Sequence, residues 1–305
     1  MARRDAAAGV ARSLFGEGRW LGVGVDGGAA TWRRLAWAPG ASALPPGGPF
    51  DGAVVFLDRG RDAWVPTLGL TAGVLAPGAE MAVVLENAAG GRSFADVVRP
   101  MADEVRDGGG RGHARITWVR GWREPLRSLD GAWTETPTPA GPLAALPGTF
   151  AMGRVDPGSL LLAEVVPRPA GRLLDLGVGP GFLTRALRGL GEDAVGVDID
   201  AWAVASAARN LPQADIRLGD GLATLRTGER FDVVVSNPPL HVGLERSPTI
   251  VKRWREALPE HLATGGVAWF VTPSGVRVDG TEVVARRDGY VVVRFFSPPR
   301  RSATR

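Results

Sequence analysis

The sequence predicts an α/β fold of two Rossmann-like halves, the C-terminal one a doubly wound, mostly parallel sheet ending in an antiparallel hairpin. Three observations predict it. From residue 172 to residue 272 short apolar runs alternate with helical patterns, which implies right-handed βαβ units with helices on both faces of a parallel sheet. Asp288-Gly289 separates two late strand-like runs, and Asp-Gly is a hairpin turn signal. Thr134–Pro142, rich in proline and polar residues, interrupts two stretches of the same rhythm and reads as an extended linker. The expected domains are therefore 1–140 and 141–305.

In chain order, Ala53–Leu57 is a buried-strand pattern, and Trp64–Val74 is a helix closed by Pro77-Gly78. Ala82–Leu85 is a second strand, followed by Asn87 and the turn Gly90-Gly91. Phe94–Val105 reads as a helix despite Pro100, and Ala114–Val119 as another strand. No phosphate-cradling glycine loop follows any of these strands. In the second half the expected strands are Arg172–Leu176, Ala194–Asp198, Asp215–Leu218, Phe231–Ser236 and Gly266–Thr272. Helices are expected at Phe182–Gly189, Ala201–Asn210 and Pro248–Ala263. The pair Glu282–Arg286 and Tyr290–Phe296 forms the hairpin, and the tail Ser297–Arg305 reads as frayed.

Composition narrows the function classes. The 305 residues are 45% hydrophobic and 22% charged, and the 43 glycines have no three-residue period, so disordered and fibrous classes are excluded. With no cysteine, disulfides, iron–sulfur clusters, cysteine-bound zinc and thiol nucleophiles are all excluded. The histidines are His113, His241 and His261, and their spacing suggests no metal site. Net charge is +4, and Lys252 is the only lysine among 36 basic residues. That balance suits a nucleic-acid partner, and the arginine excess equally suits GC-rich coding. No apolar run approaches the ~20 residues of a membrane span, and the first 20 residues lack a signal-peptide core. A cytoplasmic location is expected.

Four motifs carry chemistry. Leu174–Phe182 (LDLGVGPGF) takes a buried strand through a glycine-rich turn into a helix. Gly177, Gly179 and Gly181 give G-x-G-x-G rather than the dinucleotide G-x-G-x-x-G, which suits a ligand without a pyrophosphate. Alone, the loop fits a tight strand–helix turn as well. Asp198 ends the next strand, before Ile199 and Asp200, where a carboxylate can accept from ribose hydroxyls. Asp220, beside Gly221, ends the third and can accept from an adenine amine. Ser236–His241 (SNPPLH) ends the fourth. Prolines hold a rigid turn, so the Asn237 carboxamide oxygen and the Pro238 carbonyl can both face one amino group. Two acceptors gripping its hydrogens aim a delocalised lone pair at an electrophile, by positioning and electrostatics alone.

Together these motifs resemble the class I S-adenosylmethionine-dependent methyltransferases that act on amino nitrogens. The resemblance implies two methyltransferase-type domains, with S-adenosylmethionine as cofactor. It implies cofactor contacts at Asp175, Gly177, Gly179, Gly181, Asp198, Ile199, Asp220, Gly221 and Asn237, with Asp175 and Gly177 near the methionine end. It also implies that Asn237, Pro238, Pro239, Leu240 and His241 form the catalytic group.

Leu146–Leu162 (LPGTFAMGRVDPGSLLL) is similar to the segment that precedes the catalytic fold in RsmC-like methyltransferases, which act on the guanine N2 of small-subunit ribosomal RNA. Asn237, Pro238, Pro239, His241 and Gly243 match that family's Asn-Pro-Pro-Phe-His-x-Gly, and Leu75–Ser93 resembles a segment of its degenerate N-terminal domain. Leu240 replaces the family aromatic, a ring expected to stack on a flipped base. The segment after Thr272 is short for a further helix before the hairpin.

The implied activity is methyl transfer to a guanine exocyclic amine. The first half would serve as a non-catalytic support and substrate-docking domain. Ribosomal RNA or the small subunit is the expected partner, without membrane or metal. Arg92, Arg115, Arg120, Arg123 and Arg127 are either a phosphate-binding or a solvated face. Protein glutamine methylation fits the same Asn-Pro-Pro chemistry, and a non-catalytic RNA-binding or ribosome-assembly module fits the Leu240 departure.

Overall fold

The protein is described from a computed structural model, covering residues 2–36, 40–57, 61–152, 154–168, 170–238, 241–242, 245–246 and 249–296. Pro239, Leu240, Gly243, Pro248 and the tail 297–305 lie outside the described residues, as do the side chains of His241, Val242, Glu245, Arg246 and Thr249. The chain divides into two compact units, Met1–Trp133 and Thr134–Arg305.

The first unit runs α1 (Ala2–Arg12), β1 (Trp20–Val23), β2 (Ala30–Trp32), β3 (Phe50–Phe56), α2 (Trp64–Ala72), β4 (Leu75–Glu86), α3 (Phe94–Val98), β5 (Ala102–Arg111) and β6 (Ala114–Trp122). Its six-stranded sheet has the order β2-β1-β3-β4-β6-β5, parallel from β2 to β4 and antiparallel beyond. The expected helix Phe94–Val105 is corrected here. It stops at Val98, a single 3-10 turn holds Pro100, and β5 starts at Ala102. Proline has no N–H to donate to the preceding turn and disfavours α conformation in the residue before it.

The second unit runs β7 (Thr134–Thr136), β8 (Leu143–Ala145), α4 (Pro157–Val165), β9 (Leu173–Leu176), α5 (Phe182–Arg188), β10 (Ala194–Asp198), α6 (Ala201–Asn210), β11 (Asp215–Leu218), β12 (Phe231–Ser236), β13 (His241–Val242), β14 (Glu245–Arg246), α7 (Thr249–Ala257), β15 (Leu262–Pro273), β16 (Glu282–Arg287) and β17 (Tyr290–Phe296). Two expectations are corrected. Thr134–Pro142 is not a linker, because Thr134–Thr136 pairs antiparallel with Leu143–Ala145 inside the second unit. The helix expected over Pro248–Ala263 ends at Ala257, where a 3-10 turn carrying Pro259 leads into β15.

The main sheet has the order β11-β10-β9-β12-β15-β17-β16, parallel from β11 to β15. Strand β17 returns antiparallel, and Asp288 and Gly289 both take the left-handed backbone that a type I′ turn needs. Leu174, Leu176, Val195, Val197, Val234 and Phe270 pack on one face with Trp254 and Leu258. Leu173, Val235, Trp269 and Val271 pack on the other with Leu161, Leu162, Leu183 and Leu187. Burial on both faces explains why these strands read as continuous apolar runs. The first sheet repeats the same order without the outermost strand, so both units are one design, the first shortened.

Candidate active site

Strand order reverses between β9 and β12, the switch point at which open α/β sheets leave a crevice beyond the strand ends. Four predicted motifs emerge at the carboxyl ends of neighbouring strands: Asp220 after β11, Asp198 at the end of β10, the glycine turn after β9, and Asn237 after β12. At ~4.8 Å per strand they span roughly 14 Å. The ends of β9 and β12 are tied together, since Ser236 Oγ donates to the Leu176 carbonyl at 2.6 Å just beyond the Val235–Asp175 pairing.

The glycine turn is held from below by Gly177 N and Val178 N, both donating to the Val197 carbonyl at 2.8 and 3.0 Å. Gly177 has φ +76° and a Cβ there would meet nothing within 4 Å among the described residues; Gly179 is nearly as open, with Phe150 Cβ at 3.8 Å. Gly181 differs: φ is +96°, and a Cβ would lie 2.7 Å from Leu211 Cδ1. Gly181→Ala is therefore expected to lower stability by on the order of 3 kcal/mol, from left-handed strain plus overpacking, measured by urea unfolding. The turn thus packs tightly below and opens above, at Gly177 and Gly179.

Two carboxylates flank this opening. Asp198 Oδ2 accepts from Gly179 N and Oδ1 from Asp200 N, each at 2.9 Å, with a further bond from the Ile199 backbone. Burial pushes its pKa up to about 6 against those bonds, and the Asp200 charge adds to the rise. Asp175 is fully buried, and burial pushes its pKa up to about 7. Its Oδ2 accepts from Thr184 Oγ1 at 2.7 Å and Thr184 N at 3.2 Å, while Oδ1 has no partner among the described residues. A buried acceptor without a donor is costly, and it marks a place where a ligand's donor is welcome. Asp220 is exposed. Gly221 beside it is buried, and a Cβ there would lie 2.7 Å from the Trp254 indole nitrogen.

Asn237 follows β12 with its side chain fixed: Nδ2 donates to Asp156 Oδ1 at 2.7 Å and to Ser159 Oγ at 2.9 Å. Pro238 is buried. Pro239 and Leu240 lie outside the described residues, and of His241 only its backbone pairing with Arg246 is described. Sequence reasoning passed over four residues that shape this region: Asp156, Ser159, Thr184 and Asn210. Asp156-Pro157 carries a local signal, an N-cap acid before a first-turn proline. Asn210 has none. Its carboxamide donates to the Ala144 and Pro180 carbonyls at 2.7 and 2.8 Å and accepts from Ala144 N at 2.9 Å, tying β8 to the glycine turn.

The corresponding place in the first unit is filled. No helix separates β1 from β2, and a Cβ at Gly22 or Gly27 would strike the Val25 carbonyl or the Phe15 ring. Of the five arginines expected on a common face, Arg115 pairs with Asp107 at 2.5 Å, Arg123 with Asp103 at 3.2 Å, and Arg120 with Glu104. Carboxylates therefore balance three of them. Among the described residues no group of three or more His, Asp or Glu is placed to hold a metal, and no helix is long and apolar enough to cross a membrane.

Comparison with known proteins follows the same outline. The family model for the methyltransferase small domain matches residues 141–294. The ribosomal RNA small subunit methyltransferase C of Pseudomonas syringae pv. tomato is 34% identical over 230 residues, covering 71% of this chain and 68% of that protein. Its namesake from Stutzerimonas stutzeri is 32% identical over 271 residues, 82% of this chain and 80% of that protein. Among solved structures, the T. thermophilus 16S rRNA N2 G1207 methyltransferase, in complex with AdoMet and guanosine, superposes with TM-score 0.79 at 21% identity. That match covers 96% of this chain and 92% of the other.

Proposed function

The chain belongs to the ribosomal RNA small subunit methyltransferase C family, and from that membership we propose that it transfers a methyl group from S-adenosylmethionine to the N2 amine of a guanine in small-subunit ribosomal RNA. One observation carries the reading: the open glycine turn after β9 and Asn237-Pro238 after β12 stand side by side at the switch point of the sheet.

The residues present fit the cofactor. Among the described residues no side chain comes within 4 Å of a Cβ at Gly177, only Phe150 nears Gly179, and Asp175 Oδ1 has no donor. Asp175 and Gly177 take the methionine end, the Asp198 carboxylate accepts from the ribose hydroxyls, and Asp220 with Gly221 takes the adenine. When bound, the cofactor supplies an electrophilic methyl on a sulfonium sulfur. Asn237 Oδ1 and the Pro238 carbonyl accept the two hydrogens of the guanine amine. That grip turns the nitrogen lone pair toward the methyl and stabilises the charge that develops on the nitrogen. The proton then leaves to water, so no general base is needed. The filled counterpart in the first unit supports a non-catalytic role for that half, in support and RNA docking.

Cofactor binding is expected to depend on pH. Ribose hydroxyls donate to an ionised Asp198, so binding favours loss of its proton. A carboxylate raised from 3.8 to about 6 is ionised above that pH and protonated below it. The Asp198 proton should therefore make affinity fall as pH drops through about 6, by about tenfold per unit below it. Titration calorimetry at pH 5 and 7.5 measures this, and Asp198→Asn should lessen the fall, leaving the part that belongs to Asp175, raised to about 7. The stability sign is opposite: the folded state holds the Asp175 and Asp198 protons more tightly than the unfolded chain. Their ionisation therefore costs stability, increasingly between pH 4 and about 7.

The function itself is tested by methyl transfer to unmethylated small-subunit RNA and particles. N2-methylguanosine is the expected product. Label found in protein alone would move the reading to an amide substrate.

A further inference from the structure

We propose that Asp156 and Ser159 are positioning residues for Asn237, holding both hydrogens of its carboxamide nitrogen so that only its oxygen faces the amine to be methylated. This rests on the methyl-transfer reading above. Neither residue touches the reacting atoms; both act through Asn237.

The argument is one of donors and acceptors. A carboxamide nitrogen carries two hydrogens and its oxygen carries none. Asn237 Nδ2 spends one hydrogen on Asp156 Oδ1 at 2.7 Å and the other on Ser159 Oγ at 2.9 Å. Turning the amide over would set its oxygen against the Asp156 carboxylate, acceptor against acceptor. These two acceptors therefore admit one orientation, and that orientation leaves Oδ1 as the free acceptor. A role in stability alone would need no such selection, because either end of the carboxamide could bond a neutral partner.

Asp156 is itself fixed. It caps α4, with Oδ1 accepting from Ser159 N at 2.9 Å, so both Asn237 partners ride on a single helix start. The chain's only tyrosine stands beside the arrangement: the Tyr290 ring, at the start of β17, lies against Gly158, where a Cβ would come within 2.7 Å of Cδ1. Burial and then the Asp156 charge hold its phenol above the usual range. Ser159 N and Asn237 Nδ2 thus converge on one carboxylate oxygen.

The test is single-turnover methyl transfer from labelled S-adenosylmethionine to unmethylated small-subunit RNA, alongside cofactor affinity and thermal midpoint. Asp156→Ser keeps a good helix cap on a side chain one atom shorter, whose hydroxyl can also donate, so Asn237 is no longer held in one orientation. Its rate is expected to fall about 10- to 100-fold, within what a misplaced reacting group costs. Cofactor affinity should stay within about twofold. In an Asn237→Ala background the same change should alter the residual rate by less than about twofold, because its target is gone. Ser159→Ala leaves the cap intact and keeps the test valid if Asp156→Ser folds poorly; its rate should fall severalfold.

Full rates in both single variants, with Asn237→Ala inactive, would overturn the positioning role alone. So would losses that track cofactor affinity, or an equal loss in the Asn237→Ala background. Full activity in Asn237→Ala would overturn the role of Asn237 and this inference with it, whereas no transfer to RNA by the wild-type protein would overturn the methyl-transfer reading.

Discussion

Asn237→Ala is expected to reduce methyl transfer by ~10²-fold or more while leaving the cofactor affinity within about threefold of wild type. The asymmetry follows from where the side chain sits. Asn237 emerges after β12, and its nitrogen is held by α4 through Asp156 and Ser159, while the glycine turn is braced by Val197, Asp198 and Thr184–Asp175 contacts. Removing the carboxamide leaves those braces untouched. It deletes the acceptor that organises a poorly nucleophilic amine, an interaction made most strongly as charge develops. Calorimetry and single-turnover transfer on the same preparation separate the two effects. Equal loss of binding and transfer would contradict the role.

Asp198→Ala should produce the reverse pattern, with cofactor affinity falling ~10²-fold. Hydrogen bonds to a charged acceptor are worth about 1.5–3 kcal/mol each, and a ribose offers two. The substitution also frees Gly179 N and Asp200 N, which Asp198 now holds at 2.9 Å, so the turn itself loosens. At saturating cofactor the transfer rate should recover to within about tenfold of wild type, because the amine-gripping group stands on a different strand. A rate that stayed low at saturation would show that Asp198 acts on the reacting centre. A Gly177→Ala variant gives a complementary reading. Its methyl group would enter the open space above the turn, so it should weaken cofactor binding and cost stability only the left-handed strain of about 1–2 kcal/mol, less than Gly181→Ala, which adds overpacking.

The second unit was legible because its central strands are buried on both faces. Ala194–Asp198, Phe231–Ser236 and Tyr290–Phe296 have in the structure the bounds expected from their apolar runs, and the half-buried edge strand Asp215–Leu218 has its expected bounds too. The four strand-end motifs were legible for a related reason: a parallel sheet places every carboxyl end on one edge, so motifs in sequence order become neighbours in space. Strand β5 was missed because its pattern, ADEVRDGGGR, is polar and glycine-rich. It is an edge strand whose pairing with β6 rests on backbone bonds and on pairs such as Arg120–Glu104 rather than on apolar alternation. The proline-rich stretch at 134–142 looked like a linker because three-residue strands leave almost no periodic signal, and their pairing is a tertiary fact. The Asn237–Asp156 bond joins positions 81 residues apart, and neither residue's local pattern points to the other. Sequence spacing located the strand-end motifs, while the groups that hold Asn237 came only from the packing of α4 on the sheet.

The measurement that tests the central claim most directly is nucleoside mass spectrometry after transfer of labelled methyl to small-subunit RNA and particles from cells lacking this gene, with Asn237→Ala as control. The account predicts N2-methylguanosine from the wild-type protein and none from the control. Label in another nucleoside, or in protein alone with cofactor binding intact, would contradict it.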